Sequence, residues 1–360
     1  MPADPAAGSE LAITTNPGLE DLTAAELGER LAEDGLDPAA LERLPGTLKG
    51  RLRVRHPADF GALRAAAGRL RAAHHLLRPV TRLHLPETDP LAAIEAALAA
   101  ADLRELAGGA SFRVSCDRHG SHPFTSPDVE RAAGAALVAR YGTPVDLTGY
   151  AVHVRVDIAA DRCAVAVQLT RRALSRRFDR LYGPRVALKA NVAYACLRVA
   201  GVGATTGRLL DPFCGSGTIL AEAGWLLPAA ELWGLDRQER AAEGTRANLT
   251  AAGLGDRLHV QPGDARELAQ LFPTGHFDAI VTNPPFGARL GRGIRFADFY
   301  ADFLTAAAAV LRPGGRLALL AREHGALHRA LRRTGGFRVR HEQVIETNKV
   351  YPAIFVLERR

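Results

Sequence analysis

From Gly207 onward the chain repeats one pattern: an apolar run, a loop, and a stretch whose apolar residues recur at helical spacing. "GRLLDPFCGSGTILAEAGWLL", "ELWGLDRQERAAEGTRANLTAAG", "RLHVQPGDARELAQL" and "FDAIVTNPPFG" carry it; "FYADFLTAAAAVLRPGGRLALLA", "FRVRHEQVIE" and "YPAIFVLER" complete it. Strands that alternate with helices pair in parallel through crossovers, which predicts an α/β fold, a doubly wound Rossmann-type sheet covered on both faces. Such a sheet binds its ligand in the crevice beyond the carboxyl ends of its strands. The unusual loops of this half all sit at those ends.

Asp211 ends the first strand, and Gly215 and Gly217 lie in the tight turn before the next helix. Glycine there lets the backbone come close to a ligand. A dinucleotide fingerprint needs a third glycine where this chain has Leu220, and no Gly-Lys-Ser/Thr follows to grip phosphate. Ser216 does not sit in a G-x-S-x-G elbow either. A nucleoside ligand without an essential phosphate grip survives this elimination. Asp236 lies 19 residues beyond Gly217, close to the spacing of about 20 at which an acid accepts both ribose hydroxyls. Asp264, in Gly263-Asp264-Ala265, ends the third strand and is placed to accept from an adenine amino group. Either acid alone could simply cap a helix. Two at successive strand ends beside the glycine loop favour S-adenosylmethionine, with Asp211, Gly215, Ser216, Gly217, Thr218, Asp236, Asp264 and Ala265 as its candidate residues.

The fourth strand breaks into Asn283-Pro284-Pro285-Phe286. Proline has no amide hydrogen and pushes the residue before it out of the helical region, so this is a stiff extended corner. It offers a carboxamide and main-chain carbonyls without competing donors, which suits an amino group held by its hydrogens, and Phe286 adds a flat face. A strand end with an ordinary proline turn would use the same residues.

The first half reads differently. "LAITTNPGLEDLTAAELGERL" is a strand, a turn at Asn16-Pro17-Gly18 and a helix; "GTLKGRLRVRH", "ADFGALRAAAGRL" and "LLRPVTRLHL" add strand, helix and strand. These make a small α+β domain over residues 1–87. A second α+β unit, 88–170, follows. It holds one helix through "PLAAIEAALAAADLRELA" closed by Gly108-Gly109, a strand in "SFRVSCDR", a helix opened by Ser126-Pro127-Asp128, and paired strands turning at Asp161. Residues 171–189 form a linker, and 190–360 the doubly wound domain.

With 360 residues, 47% of them hydrophobic, each domain can bury a core of its own. "MPADPAAGSE" has neither the basic start nor the apolar run of a signal peptide, and no run approaches a membrane span, so a cytoplasmic protein is expected. The four cysteines are scattered, without a CxxC pair. Cys116, His119 and His122 could face one point, but zinc needs a fourth ligand and none is evident, so no metal is expected. The net charge is +7, and the linker "RRALSRRFDRLYGPRVALK" carries seven basic residues against Asp179. A cluster so dense is the footprint of a polyanion, with Arg176, Arg177, Arg180 and Lys189 as phosphate contacts. Arg289 and Arg292, just past the proline corner, join them as candidates.

"DPFCGSGTILAEA" followed by "TNPPFG" resembles the amino-methyltransferases of the branch that modifies guanine N2 in RNA. "SFRVSCDRHGSHPFTSPDVERAAGAALVARYG" with "VHVRVDI" resembles a THUMP domain, and the preceding unit is similar to the ferredoxin-like domain that accompanies it. Together these cover nearly the whole chain, in the order and size of the tRNA guanosine-6 N2-methyltransferase family. One departure is Ala221 before Glu222, where relatives often carry a bulkier aliphatic. The resemblance implies a class I methyltransferase domain and a tRNA partner bound at its 3′ end and acceptor stem, with no obligate protein partner evident. It also implies catalysis at Asn283, Pro284, Pro285 and Phe286. The same chemistry on ribosomal RNA or at another tRNA position, amino-methylation of DNA bases, and a non-catalytic RNA-binding factor remain as alternatives.

Overall fold

A computed structural model describes residues 8–177, 179–183, 187–285 and 295–360. The chain divides into two compact units, Met1–Leu174 and Ser175–Arg360.

In the first unit, strands β1 (Ser9–Thr15), β2 (Glu42–Leu44), β3 (Arg51–His56), β4 (Ala73–His84), β5 (Phe112–His119), β6 (Val152–Ala159) and β7 (Arg162–Gln168) form one sheet in the order β2-β3-β1-β4-β7-β6-β5. Both expected α+β pieces therefore share a sheet, and β4 joins them. Its first half pairs with β1 and its second half, from Leu77 to His84, with β7. Pro79 sits inside this strand without an amide hydrogen, and the ladder shifts register between Pro79 and Thr81, a bulge that bends the strand. The bend brings the polar face of the sheet onto itself: Arg51 of β3 donates to Asp157 of β6 at 2.6 Å and Asp117 of β5 at 2.7 Å, although three strands lie between β3 and β6 and four between β3 and β5.

The helices cover the other face. Leu27 and Leu31 of α1 (Glu20–Glu33) and Leu63 of α2 (Phe60–Ala67) pack with Leu11, Ile13 and Val54. Ile94 and Leu98 of α3 (Pro90–Ala100) and Val129 and Leu137 of α4 (Ser126–Tyr141) pack with Val154, Val156 and Val165. Thr125 and Asp128 cap α4 reciprocally, which is why its start was readable. The single helix expected through residue 107 stops at Ala100. Ala101 is extended, and a short 3-10 turn at Arg104–Leu106 follows. The break brings Leu103 and Leu106 into the core, where both are fully buried.

The second unit runs α5 (Ala190–Ala200), β8 (Arg208–Asp211), α6 (Thr218–Leu226), β9 (Glu231–Asp236), α7 (Glu239–Ala251), β10 (Leu258–Pro262), α8 (Leu268–Leu271), β11 (Phe277–Thr282), α9 (Phe296–Val310), β12 (Leu311–Ala321), α10 (His324–Thr334), β13 (Phe337–Val344) and β14 (Ala353–Arg359). The sheet order is β10-β9-β8-β11-β12-β14-β13. All pairs are parallel except those of β14, which returns antiparallel between β12 and β13. The order reverses direction between β8 and β11, and at such a switch point the diverging loops leave a crevice.

Candidate active site

The two strands flanking the switch point are pinned together at their carboxyl ends. Thr282, the last residue of β11, donates its hydroxyl to Asp211 Oδ1 at 2.6 Å, and Phe213 N donates to the same oxygen at 3.2 Å. Asp211 is buried at the end of β8, and burial pushes its carboxyl up to about 7, Asp236 adding to the rise while the Thr282 and Phe213 bonds oppose it. A raised carboxyl stabilises the fold in its protonated form. That contribution is complete below the unfolded value near 3.8 and is lost as pH rises through about 7. Asp211→Asn keeps an oxygen for Thr282 and removes the titration, so its unfolding free energy should decline less between pH 4 and pH 8 than the wild type's. Parallel declines in paired denaturant titrations would refute the assignment.

The glycine loop follows. Gly215 and Gly217 have φ of +55° and +78°, a region that L side chains rarely enter. A Cβ on Gly217 would lie 2.3 Å from Leu249 Cδ1 and 3.1 Å from Thr245 Cγ2, so only glycine lets the loop rest on α7. A Cβ on Gly215 would meet no protein atom nearer than 3.9 Å; its open side belongs to the crevice. Asp236 ties this loop to the next one, its two carboxylate oxygens accepting from Gly215 N at 3.0 Å and Gln238 N at 2.9 Å. Asp264 caps a 3-10 turn through Arg266 N and pairs with the Arg266 guanidinium at 2.6 Å, which holds its carboxyl below the usual carboxylate range.

These residues enclose a cavity of about 800 Å³. Asp211, Gly215, Ser216, Thr218, Asp236, Asp264, Ala265, Asn283, Pro284 and Pro285 all line it, and Gly217 lies behind. The cofactor candidates and the proline corner thus meet at one site. Asn283 Oδ1 is shut off from solvent and has no hydrogen-bond partner among the described residues. A buried acceptor left in this state calls for an explanation, and a donor brought by a water or a ligand would supply one. Phe286, Arg289 and Arg292 lie outside the described residues. Sequence reasoning missed Phe299 and Asp302 of α9, and Thr347, Asn348 and Val350 of the β13–β14 turn, which also line the cavity. They are remote in sequence from every motif, and burial does not mark them either: Asp302 and Asn348 are exposed and the other three half-buried.

The basic segment is not one patch. Arg176 is exposed, and Lys189 is exposed while lining the cavity. Arg177 instead donates Nε to Glu222 Oε1 at 2.8 Å, on the buried side of α6. Arg180 donates to Thr218 Oγ1 at 3.0 Å and Leu188 O at 3.1 Å. Tyr182 exchanges backbone bonds with the Asn248 side chain, and Asn248 Nδ2 also donates to Ser216 O at 3.0 Å. The segment therefore buttresses the glycine loop from within its own unit. Elsewhere, His122 engages both ring nitrogens, with Arg118 and Ala160 O. Among the described residues no three His, Cys, Asp or Glu side chains could hold a metal. None of the described helices is long and apolar enough to cross a membrane.

The family model of the RMKL-like methyltransferase domain matches residues 177–352, and that of the THUMP domain matches residues 91–168. The chain is 44% identical to a tRNA (guanine(6)-N2)-methyltransferase from Thermus thermophilus, covering 97% of this chain and 99% of the relative. It is 29% identical to an enzyme of the same name from Archaeoglobus fulgidus, covering 79% of each. Its structure superposes on the crystal structure of TrmN from Thermus thermophilus with a TM-score of 0.81 and 42% identity, covering 98% of this chain and 99% of the other. With the cofactor loop, the strand-end acids and the proline corner converging on one cavity, the chain belongs to the tRNA (guanine(6)-N2)-methyltransferase family of THUMP-domain enzymes, and its methyl donor is S-adenosylmethionine.

Proposed function

We propose that this chain methylates the exocyclic N2 of guanosine 6 in the acceptor stem of tRNA. The observation that carries the reading is Asn283, a residue of the cavity wall whose Oδ1 is a buried acceptor without a partner among the described residues. An amino group in a duplex is out of reach, so the nucleotide flips into the cavity. There Asn283 Oδ1 and the Pro284 carbonyl accept the two N2 hydrogens and turn the nitrogen lone pair toward the methyl. Pro284 and Pro285 keep the corner free of competing N–H donors. Phe286 stacks on the guanine. Asp236 accepts from the ribose hydroxyls of the cofactor, and Asp264 from its adenine amino group. S-adenosylmethionine supplies a methyl on a sulfonium that leaves without an acid, so the protein's work is alignment.

In this reading residues 1–87 are the ferredoxin-like domain, 88–170 the THUMP domain and 190–360 the catalytic domain, with the linker 171–189 before it. The THUMP half holds the 3′ end of tRNA in the cytoplasm, and Arg176, Lys189, Arg289 and Arg292 follow phosphates near the flipped base.

The direct test pairs two tRNA transcripts, one with guanosine and one with inosine at position 6, which differ by the N2 amino group alone. Methyl incorporation should vanish with inosine while binding persists; transfer to the inosine transcript would identify another acceptor atom. Transfer to ribosomal RNA fragments in preference to both would move the target to the ribosome. For the cofactor, Asp236→Ala strands two ligand hydroxyls and should weaken S-adenosylmethionine binding by about 2 to 4 kcal/mol. Calorimetry showing wild-type affinity would remove Asp236 from the site.

A further inference from the structure

Between β13 and β14 the chain turns on Thr347-Asn348-Lys349-Val350. Thr347 N donates to Val350 O at 2.9 Å and Val350 N to Thr347 O at 3.0 Å, leaving a two-residue loop. Asn348 and Lys349 have φ of +50° and +61°, so both central residues are left-handed, as a type I′ turn requires. Asparagine suits the first position. The second is one that glycine fills without strain, and here it is lysine. The turn itself does not call for that side chain.

Its surroundings do. Thr347, Asn348 and Val350 line the cavity, whereas Lys349 and Tyr351, on either side of Val350, are exposed at its rim, Tyr351 to 59%. Lys349 has no ion pair and Tyr351 no ring contact among the described residues. In a chain whose cations are nearly all arginine, only three lysines occur, and two of them, Lys189 and Lys349, flank this cavity. Lysine is a compact point charge on a flexible stem, suited to a single phosphate oxygen. An exposed cation beside an exposed aromatic ring is the combination that grips a nucleic-acid strand, the charge on the backbone and the ring under a base.

We infer that the β13–β14 turn is an RNA contact of its own, with Lys349 on a phosphate and Tyr351 stacked on the base of a nucleotide neighbouring the one that enters the cavity. The inference rests on the RNA reading of that cavity. It explains why a strained backbone keeps a lysine: the side chain serves the ligand.

Lys349→Gly relieves the backbone and removes the charge together, so the two roles separate. Binding of an unmodified tRNA transcript, followed by fluorescence anisotropy across a salt series, should weaken about three- to tenfold, and the slope of log affinity against log salt should fall by about one. The melting temperature should not fall, and Lys349→Arg should restore both the affinity and the slope. Tyr351→Ala should weaken binding about tenfold with the slope unchanged, because stacking releases no counterions. S-adenosylmethionine affinity should stay at the wild-type value in all three. Wild-type tRNA affinity and slope in Lys349→Gly, with a raised melting temperature, would make the turn merely structural and overturn the inference. Failure of the wild-type enzyme itself to bind the transcript would overturn the RNA reading of the cavity and this contact with it.

Discussion

Asn283→Ala is expected to abolish methyl transfer while leaving S-adenosylmethionine and tRNA binding intact. The side-chain oxygen is buried and unpartnered among the described residues, so its removal costs no hydrogen bond to any of them. In the proposed mechanism its contact forms only once the base is in the cavity, and it strengthens as positive charge develops on the amino nitrogen. Loss of one preorganised group of this kind costs about a hundredfold or more in turnover. Single-turnover kinetics with saturating tRNA should show the whole loss in the rate constant. A variant retaining more than about a tenth of the wild-type rate would reduce the corner to a structural turn. Asn283→Asp makes the complementary case: it keeps an oxygen at the same place, so residual activity there with none in the alanine variant would identify acceptance of hydrogens as the role.

The largest effect on stability is expected at Arg177, which the sequence alone had grouped with phosphate contacts. Glu222 is wholly buried on α6, and Arg177 Nε donates to it at 2.8 Å. Truncating Arg177 takes a charged partner from a wholly buried carboxylate, and breaking a buried ion pair costs about 3 to 5 kcal/mol. Arg177→Ala should therefore lower the unfolding transition of the catalytic unit substantially, and it should weaken cofactor binding too, because α6 begins at Thr218 of the cofactor loop. Replacing the pair together, Arg177→Met with Glu222→Leu, should recover most of the stability. The salt slope of tRNA binding should not change in either variant. Unaltered denaturant unfolding of Arg177→Ala, accompanied by a flatter salt slope, would return this arginine to the RNA.

The contrast between Arg176 and Arg177 shows where sequence reading runs out. The two are adjacent and chemically identical, and a run of basic residues normally marks a solvated face. What turns Arg177 inward is an acid 45 residues further on, brought near by the packing of α6. By contrast, Asp211, Gly215, Asp236 and Asn283 were legible because a parallel sheet sends every strand end to the same crevice, so a motif's place in the alternation is also its place in space. The shared sheet of the first unit was hidden although its joining strand was readable, because nothing within "LLRPVTRLHL" says that it pairs with β1 on one side and β7 on the other, the proline accommodated by a bulge. The turn at Asn348-Lys349 was hidden because its second residue is not glycine. The end of α3 at Ala100 was hidden because Ala-rich sequence favours helix on both sides of the break, and only the burial of Leu103 and Leu106 decides it.

The central claim is that the atom methylated is the guanine amino nitrogen held at Asn283, in tRNA, at nucleotide 6. Its most direct test is mass spectrometry of nuclease fragments from total RNA incubated with the enzyme and methyl-deuterated S-adenosylmethionine. The account predicts label in N2-methylguanosine alone, confined to the acceptor-stem fragment of tRNA that contains nucleotide 6, and none after reaction with Asn283→Ala. Label on any other atom of guanine, in another base, or in ribosomal RNA without tRNA would contradict it.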